Sequence, residues 1–237
     1  MNVHVTRGLV ETGPALPVFV RWRFKWLAGL LVCAASLVIY GLANRYPLRE
    51  PSLLPMTALD EAVPLLPWTV WVYWSGALFL LVVYASNRCV VSMNKHLYSF
   101  LALVLFSAAV FAVFPTTYPR ASFPTPAGLD GATGWVFRTL RDSDTPGCCA
   151  PSLHVSLAFL IAFGFLEDRL YHPWPFLAAF AWACAMTAST LTTKQHYAFD
   201  VVTGLGAATF FFLLFHRWLP YRLTGAVKRD CRSRQSL

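Results

Sequence analysis

The segment Cys148-Cys149-Ala150-Pro151-Ser152-Leu153-His154 is answered 42 residues later by His196-Tyr197-Ala198-Phe199-Asp200. Together they set a Ser, two His and an Asp at the edges of long apolar runs. An unpaired ionisable group at membrane depth costs several kcal/mol, so polar groups collected there need a common reason.

The surroundings of that segment have the composition of a membrane protein. Charged residues make up 13% of the 237 and AVILMFWYC 57%, against about 25% charged in soluble domains. Trp and Tyr cluster beside the apolar runs, where an interfacial belt places them. The net charge of +8 lies in short segments flanking those runs. That distribution argues for topology and against a nucleic-acid partner.

Six runs read as spans: Trp26 to Asn44, Trp68 to Ser86, Leu97 to Phe114, Ser152 to Leu166, Pro173 to Leu191 and His196 to Trp218. Trp68 to Ser86 and Leu97 to Phe114 come close to the ~20 apolar residues that a crossing needs. The expected fold is all-α, an integral membrane six-helix bundle. Residues 1–25 form an N-terminal segment, 26–218 the membrane domain and 219–237 a basic, solvated tail. A cleaved signal peptide is the rival reading of the first run, which exceeds the usual ~7–15-residue apolar region. The Pro-rich stretch 45–67 reads as a loop with one short interfacial helix, and 115–150 as the longest, most irregular loop. Arg88 and Lys95 fall in a basic link, and Glu167, Asp168, Arg169 and His172 in another.

Six crossings put both termini on one side. Thirteen of the 19 Lys and Arg residues lie there, leaving Arg45, Arg49, Arg120, Arg138, Arg141 and Lys194 on the other. The positive-inside rule then places the termini in the cytoplasm and the polar cluster at the extracytoplasmic face of a plasma (inner) membrane. Arg120, His154 and His196 share that face.

Ser152 and His154 fall in the first turn of a helix, where backbone N–H groups and the positive dipole end favour phosphate. His196 and Asp200, four apart, share one helix face, so the carboxylate can fix which ring nitrogen is left as nucleophile or base. Arg120 and Lys194 supply positive charge for phosphoryl oxygens.

Pro151-Ser152-Leu153-His154 and Ser189-Thr190-Leu191-Thr192-Thr193-Lys194-Gln195-His196-Tyr197-Ala198-Phe199-Asp200 resemble two signature motifs of the type 2 phosphatidic acid phosphatase (PAP2) superfamily. These are its second, usually Pro-Ser-Gly-His, and its third, Ser-Arg, five residues, His, three residues, Asp. Tyr118-Pro119-Arg120-Ala121 is similar to the end of the first motif. Three positions depart: Val113 stands for the first-motif Lys, Leu153 for Gly and Thr190 for the third-motif Arg. Pro-Ser-Leu-His with Lys-Gln-His-Tyr also resembles inositol phosphorylceramide synthases and their bacterial relatives.

The resemblance implies that His196 attacks phosphorus, that Asp200 orients it, and that His154 protonates the leaving alkoxide and then activates the acceptor. Arg120, Lys194, Ser152 and Ser189 would hold the phosphoryl oxygens, with Lys194 replacing one missing cation. The implied substrate is a membrane lipid phosphate or diphosphate, with water or an alcohol as acceptor and no metal or other cofactor. A homo-oligomer and a monomer are both open.

Rival readings are a zinc site of His154, His196 and Asp200, a serine hydrolase built on Ser152, and a non-catalytic lipid transporter or scaffold. Cys148 and Cys149 read as small loop residues or as disulfide partners. The Phe210, Phe211, Phe212 and Phe215 run reads as lipid-facing. Arg138, Arg141, Asp142 and Asp144 read as a solvated loop face or a headgroup reader, and Gly204 and Gly206 as close-packing residues.

Overall fold

A computed structural model describes residues 9–11, 13–86, 89–144, 147–167, 173–222, 224, 225 and 227. Arg7, Arg88, Asp168, Arg169, His172, Lys228, Arg229, Cys231, Arg232 and Arg234 lie outside the described residues.

The apolar runs form helices: α1 (Lys25–Arg45), α3 (Val70–Ser86), α4 (Val90–Val113), α6 (Leu153–Gly164), α7 (Pro173–Thr192) and α8 (Ala198–Phe212), the last continued by a π-turn, Leu213–Trp218. Short helices α2 (Ala58–Ala62) and α5 (Gly131–Ser143) lie between them. Proline sets several boundaries. Pro67 opens the turn before α3, Pro173 starts α7, and Pro115 stops α4 because the residue before a proline avoids helical geometry.

Among the described residues five helical segments are long and apolar enough to cross a membrane: Trp22–Arg45, Pro67–Ser86, Val90–Val113, Pro173–Thr192 and Ala198–Trp218. The sixth apolar helix, α6, has only 12 residues, or about 18 Å of rise against a hydrocarbon core of ~30 Å. It packs among α3, α4, α7 and α8, and most of its side chains are buried. Protein rather than lipid surrounds it, so its length is not matched to the bilayer.

The third apolar helix begins at Val90, not Leu97. Its polar first turns are packed instead of solvated. Asn94 exchanges two hydrogen bonds with the backbone of Val20, at 2.9 and 2.8 Å, and Lys95 is buried with Nζ 3.4 Å from the His216 carbonyl. At the same end, Leu9–Val10 (β1) pairs with Tyr221–Arg222 (β4), so Tyr221 is buried where a solvated tail was expected.

At the opposite end the loops are woven together. Ser52–Leu53 (β2) pairs with Thr116–Thr117 (β3), and the Leu66 N–H reaches the Thr192 carbonyl at 2.8 Å. The expected irregular loop holds α5, whose Val136, Phe137 and Leu140 are buried while Trp135 and Arg138 face outward. The C-terminal ends of α1, α4 and α7 and the N-terminal ends of α3, α6 and α8 meet here.

Candidate active site

His196 precedes α8 and is only 5% exposed, and Asp200 is fully buried. The imidazole Nδ1 lies 3.2 Å from Asp200 Oδ2, which also accepts the Tyr197 N–H at 3.0 Å. A carboxylate can only accept, so Nδ1 carries the proton and Nε2 presents its lone pair. His196 Nε2 is buried without a hydrogen-bond partner among the described residues. Asp200 Oδ1 is buried without one as well.

His154, in the first turn of α6, has its ring centroid 5.8 Å from that of His196. The two helices are tied where they meet. Ser152 N–H donates to the Asp200 carbonyl at 3.1 Å, and the Ser156 hydroxyl donates to the Gly204 carbonyl at 3.0 Å.

Arg120 enters from the turn after α4. Its guanidinium donates to Gln195 Oε1 at 2.8 Å, to the Arg141 carbonyl at 2.8 Å and to the Tyr118 hydroxyl at 3.0 Å. Around it lie buried donors with no partner among the described residues: Arg141 Nε and Nη2, Gln195 Nε2 and the Tyr197 hydroxyl. Buried polar atoms are nearly always satisfied, so this cluster has the character of a cradle for an oxygen-rich anion. Burial and the charge of Arg120 both push the Arg141 pKa down, an unfavourable pairing that an anion would relieve.

In the sequence Arg141 reads as part of a solvated loop face or as a headgroup reader, because no motif in 115–150 marks α5 as folding back over the site. The alternation of Val136, Phe137 and Leu140 with Arg138 and Arg141 is the signal that could have found it.

The structure brings His154, His196, Asp200, Ser152 and Arg120 together and engages Lys194 and Ser189 in hydrogen bonds to backbone carbonyls. Lys194 sits at φ 55°, the left-handed position of a Schellman turn, with Gln195 N–H on the Thr190 carbonyl and Lys194 N–H on that of Leu191. Its Nζ donates to the carbonyls of Asp60 and Val63, both at 2.6 Å, and covers the Phe123 ring. Burial lowers its pKa and the Asp60 carboxylate pulls the other way. The ammonium therefore braces the 46–69 loop with two of its three N–H donors. Ser189 donates to the Met186 carbonyl of its own helix at 2.6 Å. Ser152 caps α6, its Oγ accepting the Val155 N–H at 3.3 Å.

Asp60, counted only as a loop charge in the sequence, accepts the Ala198 N–H at 2.7 Å and so caps α8 beside His196 and Asp200. Cys148 and Cys149 are buried thiols, not a disulfide. No three His, Cys, Asp or Glu among the described residues are placed to share a metal ion, which removes the geometric basis for the zinc reading.

A model of the PAP2 superfamily matches residues 52–214, more than half of the chain and every site residue named here. The chain belongs to the PAP2 superfamily. No curated protein matches it. Membership supports enzymatic action of the phosphatase or phosphotransferase type. Within this PAP2 protein an apolar cavity of about 510 Å³ opens beside His154, lined by Leu37, Tyr73, Trp74, Phe100, Leu157 and Met186 among others.

Proposed function

We propose that the protein is a membrane-embedded hydrolase of lipid phosphate or diphosphate esters that works through a phosphohistidine at His196. The observation that carries this reading is the buried, Asp200-oriented His196 with an unpartnered Nε2, facing a second His at the mouth of an apolar cavity.

The His196 Nε2 lone pair forms the N–P bond as the P–O bond to the lipid alkoxide breaks. The leaving oxygen keeps the electron pair and takes a proton from His154. Water then attacks phosphorus, gives its proton to His154, and the N–P electron pair returns to His196. Arg120 and Arg141 neutralise the phosphoryl oxygens throughout. Because the leaving alkoxide must reach His154, the cavity at that residue is suited to the lipid tail.

The short, protein-packed α6 serves as the sixth crossing, and the Lys and Arg distribution puts the site at the extracytoplasmic face of the plasma (inner) membrane with both termini cytoplasmic. A headgroup phosphotransferase, as the Pro-Ser-Leu-His resemblance suggests, is the second reading. A second apolar groove of about 660 Å³ between α4 and α8 reaches Ala150 and Pro151 and offers room for a lipid acceptor.

Quenching the enzyme during turnover of a radiolabelled lipid phosphate should trap acid-labile, alkali-stable label on the wild type and none on His196→Ala. Label retained by His196→Ala sinks the mechanism. Adding diacylglycerol or ceramide separates the two reactions, since hydrolysis yields inorganic phosphate and transfer yields a new phospholipid.

A further inference from the structure

Three side chains outside the family's signature motifs converge on His154. The Tyr73 hydroxyl of α3 lies 3.0 Å from His154 Nδ1 and donates to Asp144 Oδ2 at 3.1 Å. The Tyr40 hydroxyl of α1 donates to the other oxygen, Asp144 Oδ1, at 2.6 Å. Tyr73 has one proton, and Asp144 can only accept it. The Tyr73 oxygen must therefore accept from His154 Nδ1–H, which leaves Nε2 as the nitrogen that exchanges protons. Tyr73 is also stacked at an angle on the imidazole, with centroids 4.4 Å apart, and is only 5% exposed.

We propose that Tyr73 and Asp144, braced by Tyr40, are positioning residues that hold His154 in its reactive tautomer and stabilise the imidazolium it becomes. This rests on His154 being the acid–base group of the proposed reaction. The arrangement mirrors the other half of the site, where Asp200 acts on His196 directly. Here the carboxylate acts through a phenol, so its charge is felt at one remove and its oxygens are shared by two tyrosines. Tyr40 lies before residue 52, outside the matched family region, so the first helix contributes to the site a contact that no signature motif records.

The titratable groups against the imidazole are Tyr73 from α3, Asp144 after α5 and His196 before α8. Tyr40 and Cys148 stand beside Asp144. Asp144 also ends α5, its N–H reaching the Leu140 carbonyl, so a purely structural role is the competing explanation.

The test uses full-length enzyme in micelles. Tyr73→Phe keeps the stacked ring and removes one oxygen, and Asp144→Asn removes the charge while leaving an acceptor. On an alkyl lipid phosphate, kcat/KM should fall about 10- to 100-fold, part of the 10²–10⁴-fold that general acid–base catalysis supplies. The loss should shrink on an aryl phosphate, whose leaving group needs little proton transfer. Asp144→Asn should also move the limb of the pH profile that reports His154 to lower pH, because the imidazolium loses a nearby anion. Tyr40→Phe, which leaves one of the two Asp144 contacts, should give a smaller change in the same direction. Equal losses on both substrates with an unmoved pH profile would mean a structural role and overturn the proposal, as would wild-type behaviour of both variants. Full activity of His154→Ala would instead remove the acid–base assignment beneath it, whereas an inactive His154→Ala beside unaffected Tyr73→Phe and Asp144→Asn removes the relay alone.

Discussion

Gly204 sits where α6 and α8 come together near His154 and His196, and replacing it with alanine tests how tightly that seam is set. A Cβ there would stand 2.8 Å from the Ser152 carbonyl oxygen, 3.2 Å from Ser156 Oγ and 3.3 Å from Val155 Cβ. The nearest of these cannot step aside cheaply, because the Ser152 carbonyl is a backbone group that accepts from both Ser156 N–H and Ser156 Oγ. The helices must separate by a few tenths of an ångström. Overpacking of this kind costs about 1–3 kcal/mol, while alanine in place of glycine returns about 1 kcal/mol of helix propensity. Gly206 supplies the control, since a Cβ at that exposed position meets nothing within 4 Å. The propensity gain applies to both variants, so the gap between them isolates the seam. Thermal unfolding in micelles, followed by tryptophan fluorescence, should place Gly204→Ala roughly 2–10 °C below Gly206→Ala. Turnover should drop on the order of 10-fold in Gly204→Ala alone, because a ~1 Å error in catalytic placement costs about 10²-fold. Gly204→Ala unfolding at or above Gly206→Ala would refute the reasoning.

Lys194→Met removes two charge-assisted bonds to the Asp60 and Val63 carbonyls, so stability should fall by about 1–3 kcal/mol while KM for the phosphate ester holds. A raised KM with stability intact would return Lys194 to the phosphate. Burial, reinforced by Asp144, pushes the Cys148 thiol up to about 12, so about one in ten thousand is ionised at pH 8. Burial raises Cys149 as well, with Asp200 adding in the same direction. Neither thiol should be alkylated in the native enzyme at pH 8, and both should label after denaturation; failure to label then would reveal a disulfide. Arg141→Gln should weaken competitive inhibition by inorganic phosphate about 10- to 100-fold, the worth of one or two charge-assisted bonds. Unchanged inhibition would take Arg141 out of the anion cradle.

The parts of the molecule that follow from local periodicity were legible in the sequence. The apolar runs became helices, whereas His196 falls two residues before α8, so its bond to Asp200 is made across the N-terminal turn and not along a shared helix face. What escaped depended on contacts between distant segments. Asn94 and Lys95 look like loop residues until Val20 and the π-turn after α8 arrive to bond them. Lys194 looks like an exposed cation until Asp60 and Val63 close over it. Its left-handed backbone was hidden too, since that conformation is ordinarily taken by glycine. Asp144 and Arg141 lie in a stretch with no motif, and only the fold of α5 back onto α3 turns one toward His154 and the other toward Arg120.

That same folding answers the charge question raised by the departures from the family motifs. Val113 and Thr190 stand where cations are usual, and Lys194 uses two of its donors on the Asp60 and Val63 carbonyls. Thr190 does something else at its position: its carbonyl takes the N–H groups of Gln195 and His196 at 3.0 and 3.2 Å, fixing the turn that carries His196. α5 supplies a candidate for that charge in Arg141. Arg120 holds the Arg141 carbonyl with one Nη while the Arg141 side chain keeps two buried N–H groups unpartnered, so the two guanidiniums are set relative to each other by the backbone. Two positive charges match a phosphate monoester dianion, and Gln195 and Tyr197 add neutral donors beside them. Arg offers a planar fork that Lys does not, and the unpartnered Nε and Nη2 of Arg141 present one beside the neutral donors of Gln195 and Tyr197.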